Sequence, residues 1–253
     1  MNRCAAGLAV IIATTVTQFS QGADVGAPLY LNTIGKSGSV EVYYEKYKRD
    51  IEQQGSDGNL YLGEQQEDRV IARLNYHAST RASLYVEAGA TDSDGSDGSA
   101  ALVGGGLKLS LHDSQAFGVS LFAAITYVPE IEYKRDGFID YANQLEYPSS
   151  LQTESYYEFS GGLILSKTFQ MDEKSIITPY AGVMLSRLDG DEDYEFTYPA
   201  SGRNIRTTGT LEDEDPFSAF AGLSLVMNST FGIRVEGRFV NQTSVSAGLS
   251  LFF

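Results

Sequence analysis

Apolar and polar residues alternate along most of this chain with a period of two, the spacing of strands that keep one face in an apolar medium. The last ten residues show it most plainly. Val245, Ala247, Leu249, Leu251 and Phe253 fall on one face, and Ser244, Ser246, Gly248 and Ser250 on the other. Ten segments carry the pattern: residues 38–49, 67–78, 81–90, 100–111, 116–128, 153–168, 174–188, 214–227, 230–240 and 243–253. Their links alternate in length. Short links (79–80, 112–115, 169–173, 228–229) follow even-numbered segments and long polar ones (50–66, 91–99, 129–152, 189–213) follow odd-numbered ones, Asn241-Gln242 excepted.

This arrangement predicts an all-β fold, a closed antiparallel transmembrane β-barrel of ten strands, with eight as the alternative if a terminal hairpin is misread. Twelve would require strands inside the long links. Aromatic residues gather near the segment ends, Phe117, Phe231 and Phe253 at one side and Tyr127, Tyr157, Phe217 and Phe239 at the other, as interfacial girdles would.

The C-terminal residues Ser246, Gly248, Leu251 and Phe253 resemble the assembly signal of Gram-negative outer-membrane β-barrel proteins. The resemblance implies a porin-like, multi-pass barrel in the bacterial outer membrane, delivered by the barrel assembly machinery and surrounded by outer-membrane lipid and lipopolysaccharide. The other end of the chain fits export. Arg3 precedes an apolar stretch, residues 5–16, too short to span a membrane, and Ser20-Gln21-Gly22 supplies a small-x-small cleavage site. Residues 1–22 are expected to be a signal peptide cleaved after 22 or 23, residues 23–37 a lead segment, and residues 38–253 one barrel domain. Cys4, the single cysteine, would leave with the signal, so no thiol chemistry is expected of the mature chain.

Losing Arg3 changes the formal charge from −15 to −16. So acidic a chain is a poor nucleic-acid partner, and it would approach anionic surfaces through bridging cations. The faces opposite the apolar ones carry Glu41, Glu45, Arg69, Arg73, Glu87, Lys108, Glu158, Arg234, Glu236 and Arg238, acids and bases in equal number. Confined in a lumen, these should pair across strands, with Glu45 and Glu87 the partners expected for Arg73 and Arg234. Tyr43, Tyr47, Tyr85, Phe122, Tyr156 and Tyr180 would fill the remaining space, and ten strands are too few for a wide water-filled channel.

Little points to catalysis. Omptin proteases also have ten strands, but their acidic residues and histidine lie at the extracellular rim, whereas His77 and His112 fall at the opposite end. His77-Ala78-Ser79 superficially resembles the His-x-Ser of outer-membrane lipid A deacylases, again on the wrong side for outer-leaflet lipid. No catalytic residue and no cofactor are expected. The acidic stretches Asp92, Asp94, Asp97 and Asp189, Asp191, Asp193 have the alternating oxygens of a weak divalent-cation site, although neither completes a calcium-loop motif. The expected role is a monomeric, salt-bridged barrel displaying acidic extracellular loops for structural, adhesive or lipopolysaccharide and cation interaction. A narrow selective pore for small solutes is the alternative, and an outer-membrane hydrolase ranks third.

Overall fold

A computed structural model describes residues 36–55, 60–114, 117–140, 145–213, 216–240 and 242–253. The expected signal peptide and residues 23–35 of the lead segment lie outside the described residues. The strands are β1 (Gly38–Gly55), β2 (Leu60–Ser79), β3 (Ala82–Ser93), β4 (Ala100–Asp113), β5 (Gly118–Arg135), β6 (Phe138–Asp140), β7 (Leu145–Tyr147), β8 (Ser149–Ser166), β9 (Phe169–Gln170), β10 (Ile176–Thr197), β11 (Asn204–Asp213), β12 (Phe217–Met227), β13 (Phe231–Phe239) and β14 (Gln242–Phe252).

Ten of them form a closed ring, in the order β1-β2-β3-β4-β5-β8-β10-β12-β13-β14 and back to β1, each pair antiparallel. The ring contains each of the ten segments expected from the alternation. Closure runs from Ser39 opposite Phe252 to Arg49 opposite Gln242. Beyond it, Phe253 N–H donates to the Gly38 carbonyl at 3.0 Å and Gly38 N–H returns the bond at 3.1 Å. Closure leaves no open edge between the ten ring strands where they share a belt, as a lipid surround requires. The end holding Gly38, Phe253 and the short turns is the one that would face the periplasm on the plan of outer-membrane barrels. There Asn228 and Ser229 take positive φ of 54° and 53°, the backbone of a tight two-residue hairpin turn.

The long links are where the structure departs from expectation. Residues 50–66, 129–152 and 189–213 were expected to be loops, yet β1, β2, β5, β8 and β10 all run on through them, and β11 and the small β6–β7 hairpin lie wholly within them. Beyond the lipid, the outer face of a strand meets water, so Asp189 and Asp191 replace apolar residues while the backbone ladder continues. The apolar alternation stops, but pairing does not.

Strand β11 has a special position. It pairs with β10 from Asp189 opposite Glu212 to Thr197 opposite Asn204, and with β1 from Ile51 opposite Asp213 to Gly55 opposite Gly209. Above the ends of β12, β13 and β14, therefore, β11 alone joins β10 to β1. The wall is closed twice, by ten strands within the membrane and by β11 above it.

Candidate functional site

The membrane-embedded interior is polar. All ten ionic residues expected in the lumen are buried, while Val42, Leu74, Leu84, Val86, Leu163, Val183 and Leu249 are exposed on the outer wall. Arg73 sends Nε and Nη2 to Glu87 Oε2 at 2.9 and 2.7 Å, and Glu87 Oε2 also accepts from the Tyr43 hydroxyl at 3.1 Å. Arg234 grips Glu41 Oε1 through Nε at 2.9 Å and Nη2 at 2.6 Å, and its Nη1 lies 3.8 Å from Glu236. Arg69 lies 3.7 Å from Glu45 and 3.6 Å from Glu158. Lys108 Nζ stands 6.0 Å from the Tyr85 ring centroid, and Arg238 Nη1 donates to Gln242 at 3.2 Å.

One pairing differs from the sequence expectation: Arg234 takes Glu41 rather than Glu45 or Glu87. Its neighbour in register is Gly248 of β14, with Tyr43 of β1 beyond, so a long side chain must reach diagonally across a glycine to β1. Gly248 makes this possible, because a Cβ there would lie 2.8 Å from Tyr43 Cβ and 3.0 Å from Glu41 Oε1. Of the other residues in the C-terminal motif, Ser246 faces inward and Leu251 and Phe253 are exposed at the lipid face.

Four further buried ionic residues were missed. Arg49 donates to Glu158 at 2.8 Å, Glu67 accepts from Arg69 Nε at 2.8 Å and from the Tyr156 hydroxyl at 2.6 Å, and Glu154 faces Glu192 in register between β8 and β10. Arg49, Glu67 and Glu154 lie within the expected segments, at even steps from Glu45, Arg69 and Glu158 on the same inward faces, so the period already marks them; Glu192 alone lies beyond its segment, where β10 runs on. Glu154 stands above the girdle residue Tyr157, outside the membrane. Burial, then the Glu192 carboxylate, push its pKa up to about 8, against the lowering effect of hydrogen bonds from Tyr133 and Gln152.

Among these charges packs an apolar cluster that includes Ile51, Leu102, Val128, Ile131, Leu188 and Leu211, the last supplied by β11; Leu188 is the register partner of Glu158 and Ile131 of Glu154. Between Arg69, Arg73, Glu87 and Phe122 is a cavity of about 20 Å³, room for a single water. At the extracellular girdle, Tyr127 and Tyr157 stack with centroids 4.3 Å apart.

A ring with charges inside and aliphatic residues outside inverts the arrangement of a soluble fold, and hydrocarbon around the wall is what stabilises it. The molecule is a closed ten-stranded β-barrel with the surface of a membrane-spanning one. It is similar to the translocator domain of the autotransporter NalP from Neisseria meningitidis (9% identity, 99% of this chain and 98% of that one covered, TM-score 0.46). It is also similar to the outer membrane protease OmpT from Escherichia coli (11%, 86% and 97%, 0.48) and to Ail, the attachment invasion locus protein of Yersinia pestis (11%, 86% and 97%, 0.28). No family model and no curated protein matches the chain. Likeness at this level transfers no residue role.

The histidines are at the short-turn end of the barrel. His77 Nδ1 lies 3.2 Å from Ser83 Oγ, and the His112 ring packs on Phe117 with centroids 5.0 Å apart. The carboxylates of the two aspartate stretches are spread along the strands or already engaged. Asp189 and Asp191 project from the outer face of β10 at alternate positions, about 7 Å apart along a strand. Asp193 pairs with Arg206 at 3.0 Å, Asp97 with Lys134 at 3.2 Å, and Asp92 Oδ1 accepts from Ser96 at 3.2 Å. Asp94 is exposed. Among the described residues no group of three His, Cys, Asp or Glu is close enough to hold a metal ion.

Proposed function

We propose that the barrel is an anchor working at its extracellular surface, where acidic residues engage lipopolysaccharide through shared divalent cations. What supports this is the packing of the lumen: buried ion pairs and the apolar cluster surround a cavity of about 20 Å³. A hydrated solute would have to separate those pairs and displace that cluster, which favours the outer surface as the place of work.

A row of carboxylates supports the choice of partner. Glu52 of β1 and Asp189 of β10 are both register partners of Glu212 on β11, and these side chains share the outward face, where like charges directly opposite each other repel. The row stands level with Tyr157, near the lipid headgroups. Cations there would take their remaining ligands from lipid phosphates, which suits a site lacking a complete protein cage.

Planar-bilayer recordings of refolded protein test the anchor against the pore: no discrete conductance is expected, and reproducible ohmic steps would establish the narrow pore instead. Binding to lipopolysaccharide vesicles should rise with Mg²⁺ and fall with EDTA. Assembly would follow the outer-membrane route, so Leu251→Asp with Phe253→Asp should leave a protease-sensitive periplasmic species.

A further inference from the structure

Just below the acidic row the outer wall is indented. Ala123 of β5 and Gly161 of β8 are register partners, and Gly161 is opposite Leu185 of β10. Two small residues side by side leave a groove of about 390 Å³ on the lipid face, walled by Phe159 and Leu185 and bounded at its extracellular end by Arg187 and Pro216. Arg187, register partner of Phe159, is exposed on that outward face and has no ion pair among the described residues.

An arginine on a lipid-facing wall is tolerated near the headgroups, where its guanidinium can reach water or an anion. Its planar fork matches phosphate oxygens in two parallel hydrogen bonds. Beneath it, the apolar groove runs toward the bilayer interior. The pair is complementary to a phosphorylated, acylated lipid entering from the outer leaflet: a chain along Ala123 and Gly161, its phosphate on Arg187.

We infer that this groove holds one acyl chain of lipid A with the adjoining phosphate bound by Arg187. The inference shares the outer-leaflet partner of the proposed function but does not depend on its cations. Carboxylate contact through Mg²⁺ is abolished by EDTA; the groove contact is not.

Native mass spectrometry of the full mature chain, released from detergent with added bisphosphorylated lipid A and EDTA, tests it. One lipid A should be retained per barrel, with dephosphorylated lipid A bound about tenfold more weakly, the scale of losing a charge-assisted contact. Arg187→Gln should weaken binding similarly and Arg187→Lys less. Gly161→Leu should abolish it by filling the groove, since a Cβ at 161 meets only the Phe122 carbonyl, at an ordinary 3.4 Å. Ala123→Leu is the second filling variant should the first fail to show heat-modifiable migration. Undiminished retention in a folded filling variant, or equal affinity for the dephosphorylated lipid, overturns the proposal. So does a barrel dimer lost on filling, which would make the groove an interface between copies. Replacing Glu52 and Glu212 by Gln and Asp189 by Asn should remove only the Mg²⁺-dependent increment, so the cation-bridged row and the groove fail separately.

Discussion

Arg73 is enclosed by the rings of Tyr43 and Tyr85, at 4.9 and 4.3 Å from their centroids, while both its Nε and Nη2 are engaged by Glu87. Arg73→Ala would strand a buried carboxylate, for which the expected loss is about 3 to 5 kcal/mol, less where water enters the space left. Arg234→Ala should do the same to Glu41. Urea unfolding of refolded protein gives the loss, and double-mutant cycles with Glu87→Gln and Glu41→Gln should return substantial coupling, whereas Arg234 with Glu87→Gln should be near additive. Near-zero coupling in both proposed pairs would remove the ion-pair account of the lumen. These residues were legible because an inward position on a period-two strand needs only local sequence. Their partners were less so. Arg234 reaches past β14 to β1, and which side chains meet across three strands depends on the stagger of the barrel, which no single strand's periodicity records.

At the scale of elements, the strand extensions beyond the girdle carry a pH-sensitive junction. Glu154 on β8 is buried opposite Glu192 on β10, with Tyr133 of β5 and Glu67 of β2 also nearby. Its pKa is raised to about 8 from 4.5. Below the unfolded value both states carry the proton and nothing is lost. As pH rises toward 8 the unfolded chain ionises while the folded site resists, so the stability held there declines, and it is fully lost above that pH. Glu154→Gln should remove this slope, stabilising the β8–β10 extension by a few kcal/mol, about 3 to 5 at most, at pH 8 and hardly at all at pH 4. Hydrogen exchange of the extension at both pH values measures it. Equal protection in the wild type at pH 4 and pH 8, with each rate divided by the intrinsic rate at that pH, would contradict the buried acidic pair. The extensions escaped the sequence reading for one physical reason. Apolar alternation reports lipid contact, and strands that leave the bilayer keep their hydrogen bonds but lose that signal.

For the whole molecule, β11 couples the surface to the lumen. It carries Glu212 on its outer face, within the acidic row, and Leu211 on its inner face, within the apolar cluster. A short turn in place of residues 189–213 should still allow insertion and heat-modifiable migration, because β10–β12 and β14–β1 pairing closes the ring below that level. Leu211 would be gone, however, and the ionic layer exposed to water. The shortened barrel should therefore show conductance steps that the intact protein lacks, together with a loss of Mg²⁺-dependent lipopolysaccharide binding. Replacing residues 136–148, which contain only the separate β6–β7 hairpin and its flanks, should produce no leak. His77→Ala and His112→Ala should leave both measurements unchanged, since each ring sits at the short-turn end with neighbours that fix it in place. A shortened barrel that stays electrically silent would mean the ion pairs alone close the lumen. Binding that survives shortening but vanishes with either histidine would move function away from the extracellular surface, and the anchor with it.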